Sequence, residues 1–279
     1  MVNWLLGIVI GLVQGISEWL PISSKTQIIF ASTYFFSLSF DDAYALGLFM
    51  EVGTFFAALF YFRREVWRVV KALVGSGDEE SRLMLKFLVV VTVVTAILGV
   101  AIYKTVSSTV TGPVLGAPMI ALGCVLIADG VLIKVARGRY TPKKGIKELK
   151  MRDLLIVGVA QGIAAFPGVS RSGATVSALL LLGVRPDESF RLSFMALIPA
   201  SIGATLTTVL LTHMQIRSAL ATVGYSSIFV AILVTVMVGV GFIRVLLKAA
   251  DSNKIVILTV TLGALAIFSG VASFLVGAG

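Results

Sequence analysis

Long apolar stretches alternate with short basic ones along the chain, and two of the apolar stretches are interrupted. Six uninterrupted runs, near residues 43–62, 84–103, 113–135, 190–212, 226–247 and 255–277, approach the roughly 20 residues a helix needs to cross a bilayer. Two others, about 2–38 and 154–182, are broken near the middle by Pro, Ser and charge. Neither side of a break is long enough to cross alone. Each broken run therefore predicts a helix, a turn and a second helix returning to the same side. Irregular backbone at membrane depth requires protein or a water-filled cavity around it. One such pair and three crossings make up each half of the chain. Three is odd, so the second half enters the membrane the other way up. The predicted fold class is an all-α polytopic membrane protein. It is an inverted repeat of one re-entrant helix pair plus three transmembrane helices per half.

The two breaks carry related phrases. GLVQGISEWLPISS runs from Gly11 to Ser24, and GVAQGIAAFPGVSRS from Gly158 to Ser172. Gly11, Gln14, Gly15 and Ile16 recur as Gly158, Gln161, Gly162 and Ile163 at a constant offset of 147. A weak internal repeat with a broken hydrophobic segment in each half points to a site near the bilayer midplane. Gly7, Gly11 and Gly15 share one helix face, as do Gly158 and Gly162, and the packing of another backbone is what such faces serve in membranes.

Composition adds what the pattern leaves open. The chain is 58% hydrophobic and 13% charged, with a mean hydropathy of +1.02, which excludes an ordinary soluble domain. The net charge of +9 belongs to loops between spans, so a nucleic-acid partner is not expected. In the predicted topology 19 of the 23 basic residues fall on one side, against Lys104 and Arg217 on the other. The positive-inside rule makes the first side cytoplasmic and both termini external, in a cell membrane. A single membrane domain over residues 1–279 is expected, with halves about 1–135 and 154–279 and a basic cytoplasmic link, 136–153. The opening MVNWLLGIVIGLVQG feeds directly into the first phrase without a basic leading region, so no cleavable signal is expected. The lone Cys124 rules out an internal disulfide or a cysteine metal site and reads as a core residue.

Chemistry is concentrated at the breaks. Glu18 follows an apolar half-helix at membrane depth, where a carboxylate marks a functional site or a buried pair; Gln14 lies one turn earlier on the same face. In PGVSRSG, Pro167 to Gly173, glycines permit a tight turn, and Ser170 and Ser172 suit the cap of a helix. Arg171 and Gly173 at that helix start form a phosphate cradle, and an arginine at this depth requires an anionic partner, Glu18 or a lipid phosphate. Pro21, Ser23 and Ser24 play the matching part in the first copy. Glu51, midway along a span, is a second-tier candidate for lining a cavity. Asp129 is expected to pair with Lys134, and His213 to lie in an outer connection.

QGISEWLPISS, VGTFFAALFYFRRE, PGVSRSGAT and SFRLSFMALIPASIGA, in this order across both halves, closely resemble the undecaprenyl-diphosphate phosphatase, or bacitracin-resistance, family. The resemblance implies a membrane hydrolase that converts a polyprenyl diphosphate to the monophosphate, recycling a lipid carrier for cell-envelope glycan assembly. It implies that Glu18 is the essential acid, Arg171 the phosphate-binding arginine and Ser24 the nucleophile. There is one departure. The best-known bacterial branch has Ser-x-x-His after the double serine, whereas this chain has Gln27 at the histidine's place. Glu18 then takes the role of base, or the activity of this branch is altered.

The expected site has Arg171 and the N–H groups of Ser170 to Gly173 holding the diphosphate. Gln14, Ser23, Lys25 and Gln27 line it. Ser24 or a water attacks, and Glu18 accepts the proton or holds a divalent cation, Mg²⁺ or Ca²⁺. The partners are the lipid diphosphate and the bilayer, and a homodimer is left open. The alternative is a lipid-phosphate transporter or flippase, because the architecture is also that of transporters.

Overall fold

The computed structural model describes residues 4–20, 24–109, 143–165, 169–211, 213–249 and 254–275, and residues 120–121, 123–124, 127–128, 130–131 and 134–135 between them. Among the described residues every regular element is a helix, apart from one isolated bridge between Lys144 and Val184. The α-helices are α1 (Trp4–Ser17), α2 (Ser24–Phe36), α3 (Phe40–Phe49), α4 (Glu51–Tyr61), α5 (Arg63–Leu73) and α6 (Glu79–Thr109). After residues 120–135 come α7 (Met151–Ile163), α8 (Arg171–Leu181), α9 (Pro186–Leu211), α10 (His213–Val223), α11 (Tyr225–Ala249) and α12 (Lys254–Leu275).

Four stretches are long and apolar enough to cross a membrane: Asp42–Tyr61, Glu79–Ile102, Pro186–Leu206 and Tyr225–Lys248. The chain is a multi-pass membrane protein. These four match the first, second, fourth and fifth predicted crossings, and α12 covers the sixth. Most of the region predicted to form the third, including Asp129, lies outside the described residues. Both broken runs are helix pairs. Members of 14, 13, 13 and 11 residues are each well short of a bilayer.

Glycine faces hold these short helices. α1 runs along α11, and α7 along α6. A Cβ on Gly11 would fall 2.6 Å from the Ala231 carbonyl oxygen, and one on Gly158 2.7 Å from Val94 Cβ. Only glycine lets these backbones meet so closely. The same step is hydrogen-bonded in both places. The Thr235 hydroxyl donates to the Gly11 carbonyl (3.3 Å), and the Thr95 hydroxyl to the Gly158 carbonyl (3.2 Å). Trp19, fully buried beyond α1, packs edge-to-face on Phe194 of α9 with centroids 5.2 Å apart.

Three expectations change. The first crossing is interrupted at Met50, where α3 gives way to α4 and the Thr54 hydroxyl bonds back to the Glu51 carbonyl (3.0 Å). The connection after it, read as a basic loop, contains the helix α5. His213 lies in the connection between the fourth and fifth crossings, where it heads the helix α10. Cys124 is exposed, not buried, because the outer surface of a bilayer protein is itself apolar and apolar neighbours do not imply a core position.

Candidate functional site

The two helix breaks meet. Glu18 lies in the turn that ends α1, and Arg171 is the first residue of α8. Arg171 Nη2 donates to Glu18 Oε1 at 2.5 Å, and the two residues are 8% and 5% exposed. The other carboxylate oxygen, Oε2, accepts the Ser24 hydroxyl (2.5 Å) and the Gln14 side-chain amide (3.0 Å). One carboxylate thus gathers a cation, a hydroxyl and an amide from three helices. A nucleophile on a base, and a base fixed by further groups, is the arrangement that activates a serine.

Local chemistry explains why the breaks fit together. The turn after α1 leaves the Leu20 carbonyl without a helical donor. The Ser172 hydroxyl donates to it at 2.9 Å, and the Ser170 hydroxyl at 3.4 Å. Ser170 also caps α8: its Oγ accepts the Gly173 N–H at 3.1 Å. That N–H, expected to face phosphate, is therefore already in use. The Thr175 hydroxyl bonds to the Arg171 carbonyl (2.8 Å) and meets Ser193 of α9, which fixes the start of α8 against the core.

A second ion pair lies alongside. Lys25 Nζ is 3.5 Å from Glu51 Oε1, with both side chains largely buried. The two pairs leave the site with no net charge from these four groups. Lys25 and Arg171 line both a small nook at Ser24, Ser170 and Ser172 and a larger cavity of about 140 Å³. The larger cavity exists because Ala96 and Gly99 of α6 oppose Ala200 and Gly203 of α9; a Cβ on Gly203 would meet nothing within 4 Å. Its polar lining has unused capacity. Arg171 Nε and Nη1, Gln161 Oε1 and Thr92 Oγ1 are buried without a hydrogen-bond partner among the described residues. Thr92 and Pro199 also border an apolar groove of about 390 Å³ between α5, α6 and α9, with Val66, Val69 and Val70 of α5 in its wall.

The structure thus brings Gln14, Glu18, Ser24, Ser170, Arg171 and Ser172 together and puts Lys25 and Glu51 beside them. Gln27 is half-buried on α2 and borders neither cavity. Ser23 lies outside the described residues. Sequence reasoning missed Gln161 and Thr92 as cavity groups. Gln161 was within reach, as the repeat partner of Gln14; the Gln14 amide binds Glu18, but in the second copy Ala165 stands in the acid's place, and the Gln161 amide donates to Thr95 at 3.1 Å.

Comparison with known proteins gives the family. The family model for bacitracin resistance protein BacA matches residues 7–268. A protein of Saccharolobus solfataricus named undecaprenyl-diphosphatase is 51% identical over 270 residues, 96% of each chain. One of the same name from Saccharolobus islandicus strain M.16.4 is 51% identical over 257 residues, 92% of this chain and 91% of its own. A match of that length, carrying the motifs of both helix breaks, has one reading: the chain belongs to the bacitracin resistance protein BacA family.

Proposed function

We propose that this protein hydrolyses undecaprenyl diphosphate, or another polyprenyl diphosphate, to the monophosphate and inorganic phosphate. The observation that carries the reading is the single carboxylate of Glu18 shared between a hydroxyl, Ser24, and a guanidinium with two unused donors, Arg171. The names of the relatives point to the same reaction, and no observation favours the transporter alternative.

In this reading the terminal phosphate enters between Arg171 and Lys25. Arg171 Nε and Nη1 are each free to donate to a phosphate oxygen, and either becomes half of a planar fork once Nη2 turns from Glu18 toward the phosphate. As the guanidinium turns to phosphate its hold on Glu18 weakens, and the carboxylate becomes a stronger base when substrate is present. Ser24 Oγ attacks the terminal phosphorus, its proton passes to Glu18 and from there to the departing phosphate oxygen, and the anhydride P–O bond breaks to release polyprenyl monophosphate with Glu18 ionised again. Water then attacks the phosphoserine, giving its proton to Glu18. The Oγ–P bond breaks, inorganic phosphate leaves, and Ser24 recovers its proton. Arg171 and Lys25 stabilise the charge that develops on phosphorus oxygens in both steps. The prenyl tail leaves along the apolar groove between α5, α6 and α9.

Mg²⁺ or Ca²⁺ fits this donor set poorly. Among the described residues no three carboxylate, histidine or cysteine side chains are placed to hold a metal ion together, and both Glu18 oxygens are engaged. A divalent cation in this reading arrives on the diphosphate oxygens, and none of the steps above runs through it.

The finer topology is part of the proposal. Two re-entrant pairs, an inverted repeat and external termini are supported by the short helices at both breaks and by the charge bias. They are supported too by the paired contacts of Gly11 with Thr235 and Gly158 with Thr95, in which each half clasps a crossing of the other. Phosphate release by the purified protein from a long-chain prenyl diphosphate tests the function. A lipid that keeps both phosphates would refute it.

A further inference from the structure

The helix α5, RREVWRVVKAL, divides lengthwise into three stripes. Glu65, Val69 and Ala72, spaced i, i+4, i+7, face the protein. Arg191 of α9 secures that edge, donating to Glu65 (2.8 Å), to Glu80 of α6 (3.1 Å) and to Glu188 (3.1 Å). Trp67, Val70 and Val74, spaced i, i+3, i+7, form a second stripe, and with the adjoining Leu73 they are exposed. Trp67 is 60% exposed, Leu73 70% and Val74 71%. Arg64, Arg68 and Lys71, again i, i+4, i+7, form an exposed third stripe beside it. The Lys71 ammonium lies 6.0 Å from the Trp67 ring centroid, where the two stripes join.

Position decides what covers these faces. The crossing Asp42–Tyr61 ends two residues before α5 begins, and the crossing Glu79–Ile102 starts six residues after it ends. The helix is therefore held at one boundary of the bilayer. Exposed Phe56 and Phe60 continue its apolar edge onto the lipid-facing side of α4. A short helix with a tryptophan-bearing apolar edge and an adjacent basic edge has the build of an interfacial segment. Its positive charges have a natural complement in phosphate headgroups.

We infer that α5 lies in the headgroup layer. Trp67, Val70 and Val74 enter the acyl boundary, and Arg64, Arg68 and Lys71 bind the phosphates of anionic phospholipids. This is a lipid site distinct from Glu18 and Arg171, and it does not rest on the hydrolytic reading.

The test uses full-length protein in vesicles of phosphatidylcholine with or without phosphatidylglycerol. A bimane label is attached at Val74→Cys in a Cys124→Ala background. Nitroxide near the carbonyl of the acyl chain should quench it, and aqueous iodide should not. Nitroxide-bearing phosphatidylglycerol should quench about fivefold more than the matching phosphatidylcholine, the factor one basic residue near an anionic surface supplies. That preference should vanish in Arg64→Gln/Arg68→Gln/Lys71→Gln. It should also fade in the unsubstituted basic stripe as salt rises, a readout that leaves Arg64, Arg68 and Lys71 in place. Quenching by iodide, or by neither agent as when a second protein copy covers the face, would overturn the docking. Equal quenching by the two lipids, or a preference that survives both treatments, would overturn the anionic site.

Discussion

Ser24 and Arg171 occupy the same place in two copies of one motif, 147 residues apart, and meet on opposite oxygens of the Glu18 carboxylate. Each is the first residue of the second helix of a broken pair. The repeat delivers two helix starts to one point, one carrying a hydroxyl and the other a cation. The acid occurs only in the first copy, because Ala165 stands at the second position.

The Glu18–Arg171 pair should be strongly coupled. Removing either partner leaves a buried charge uncompensated, at a cost of about 3–5 kcal/mol. Glu18→Ala with Arg171→Ala should cost clearly less than the two single changes summed, and unfolding of the four proteins in detergent measures the difference. Additive losses would mean that the ion pair contributes nothing to holding the breaks together.

Arg171→Lys should not rescue Arg171→Ala. Lysine keeps the charge but loses the planar set of donors that Arg171 divides between Glu18 and phosphate. Phosphate release should fall roughly a hundredfold, or about 3 kcal/mol. Near-normal turnover would show that diffuse charge suffices.

Two glycines should respond in opposite ways. Gly11→Ala drives a methyl into the Ala231 carbonyl and Val234, and should destabilise the protein by about 1–3 kcal/mol. Gly203→Ala meets open space and should be neutral or stabilising, since alanine suits a helix better by about 1 kcal/mol. Gly203→Leu, on the same open side, should keep the fold yet cut turnover at least about tenfold by filling the cavity between α6 and α9. An undiminished rate in the leucine variant would remove that cavity from the reaction.

Orientation has its own check. In a Cys124→Ala background, a thiol introduced by Gly145→Cys should react only with reagents admitted to the cytoplasm, as the charge bias requires. Labelling of that position from outside the cell would invert the topology.

The site was legible in the sequence to the extent that burial is costly. A carboxylate and an arginine in apolar runs each required a partner, and each found the other. Helix breaks were legible because Pro, Gly and Ser interrupt hydrophobic runs too short to cross. The helix α5 was not, because its basic residues dominate a linear reading and its three stripes show only when wound on a helix. Gln161 and Thr92 were obscured for another reason. Their importance comes from the empty space that Gly99, Ala200 and Gly203 leave around them, and space between helices distant in sequence carries no local signal. Lys25 was read as lining the site and Glu51 as lining a cavity. Both border the cavity, but their pairing across α2 and α4 depended on the turn at Met50.

The most direct test is phosphate release from a long-chain prenyl diphosphate by wild-type protein, Glu18→Gln and Ser24→Ala, with lipid binding followed in parallel. The amide of Glu18→Gln keeps the shape of the side chain but cannot take the Ser24 proton at neutral pH. The account predicts steady release by the wild type, a loss of at least about a hundredfold in each variant, and substrate still bound by both. Release by Glu18→Gln at close to the wild-type rate would contradict the account.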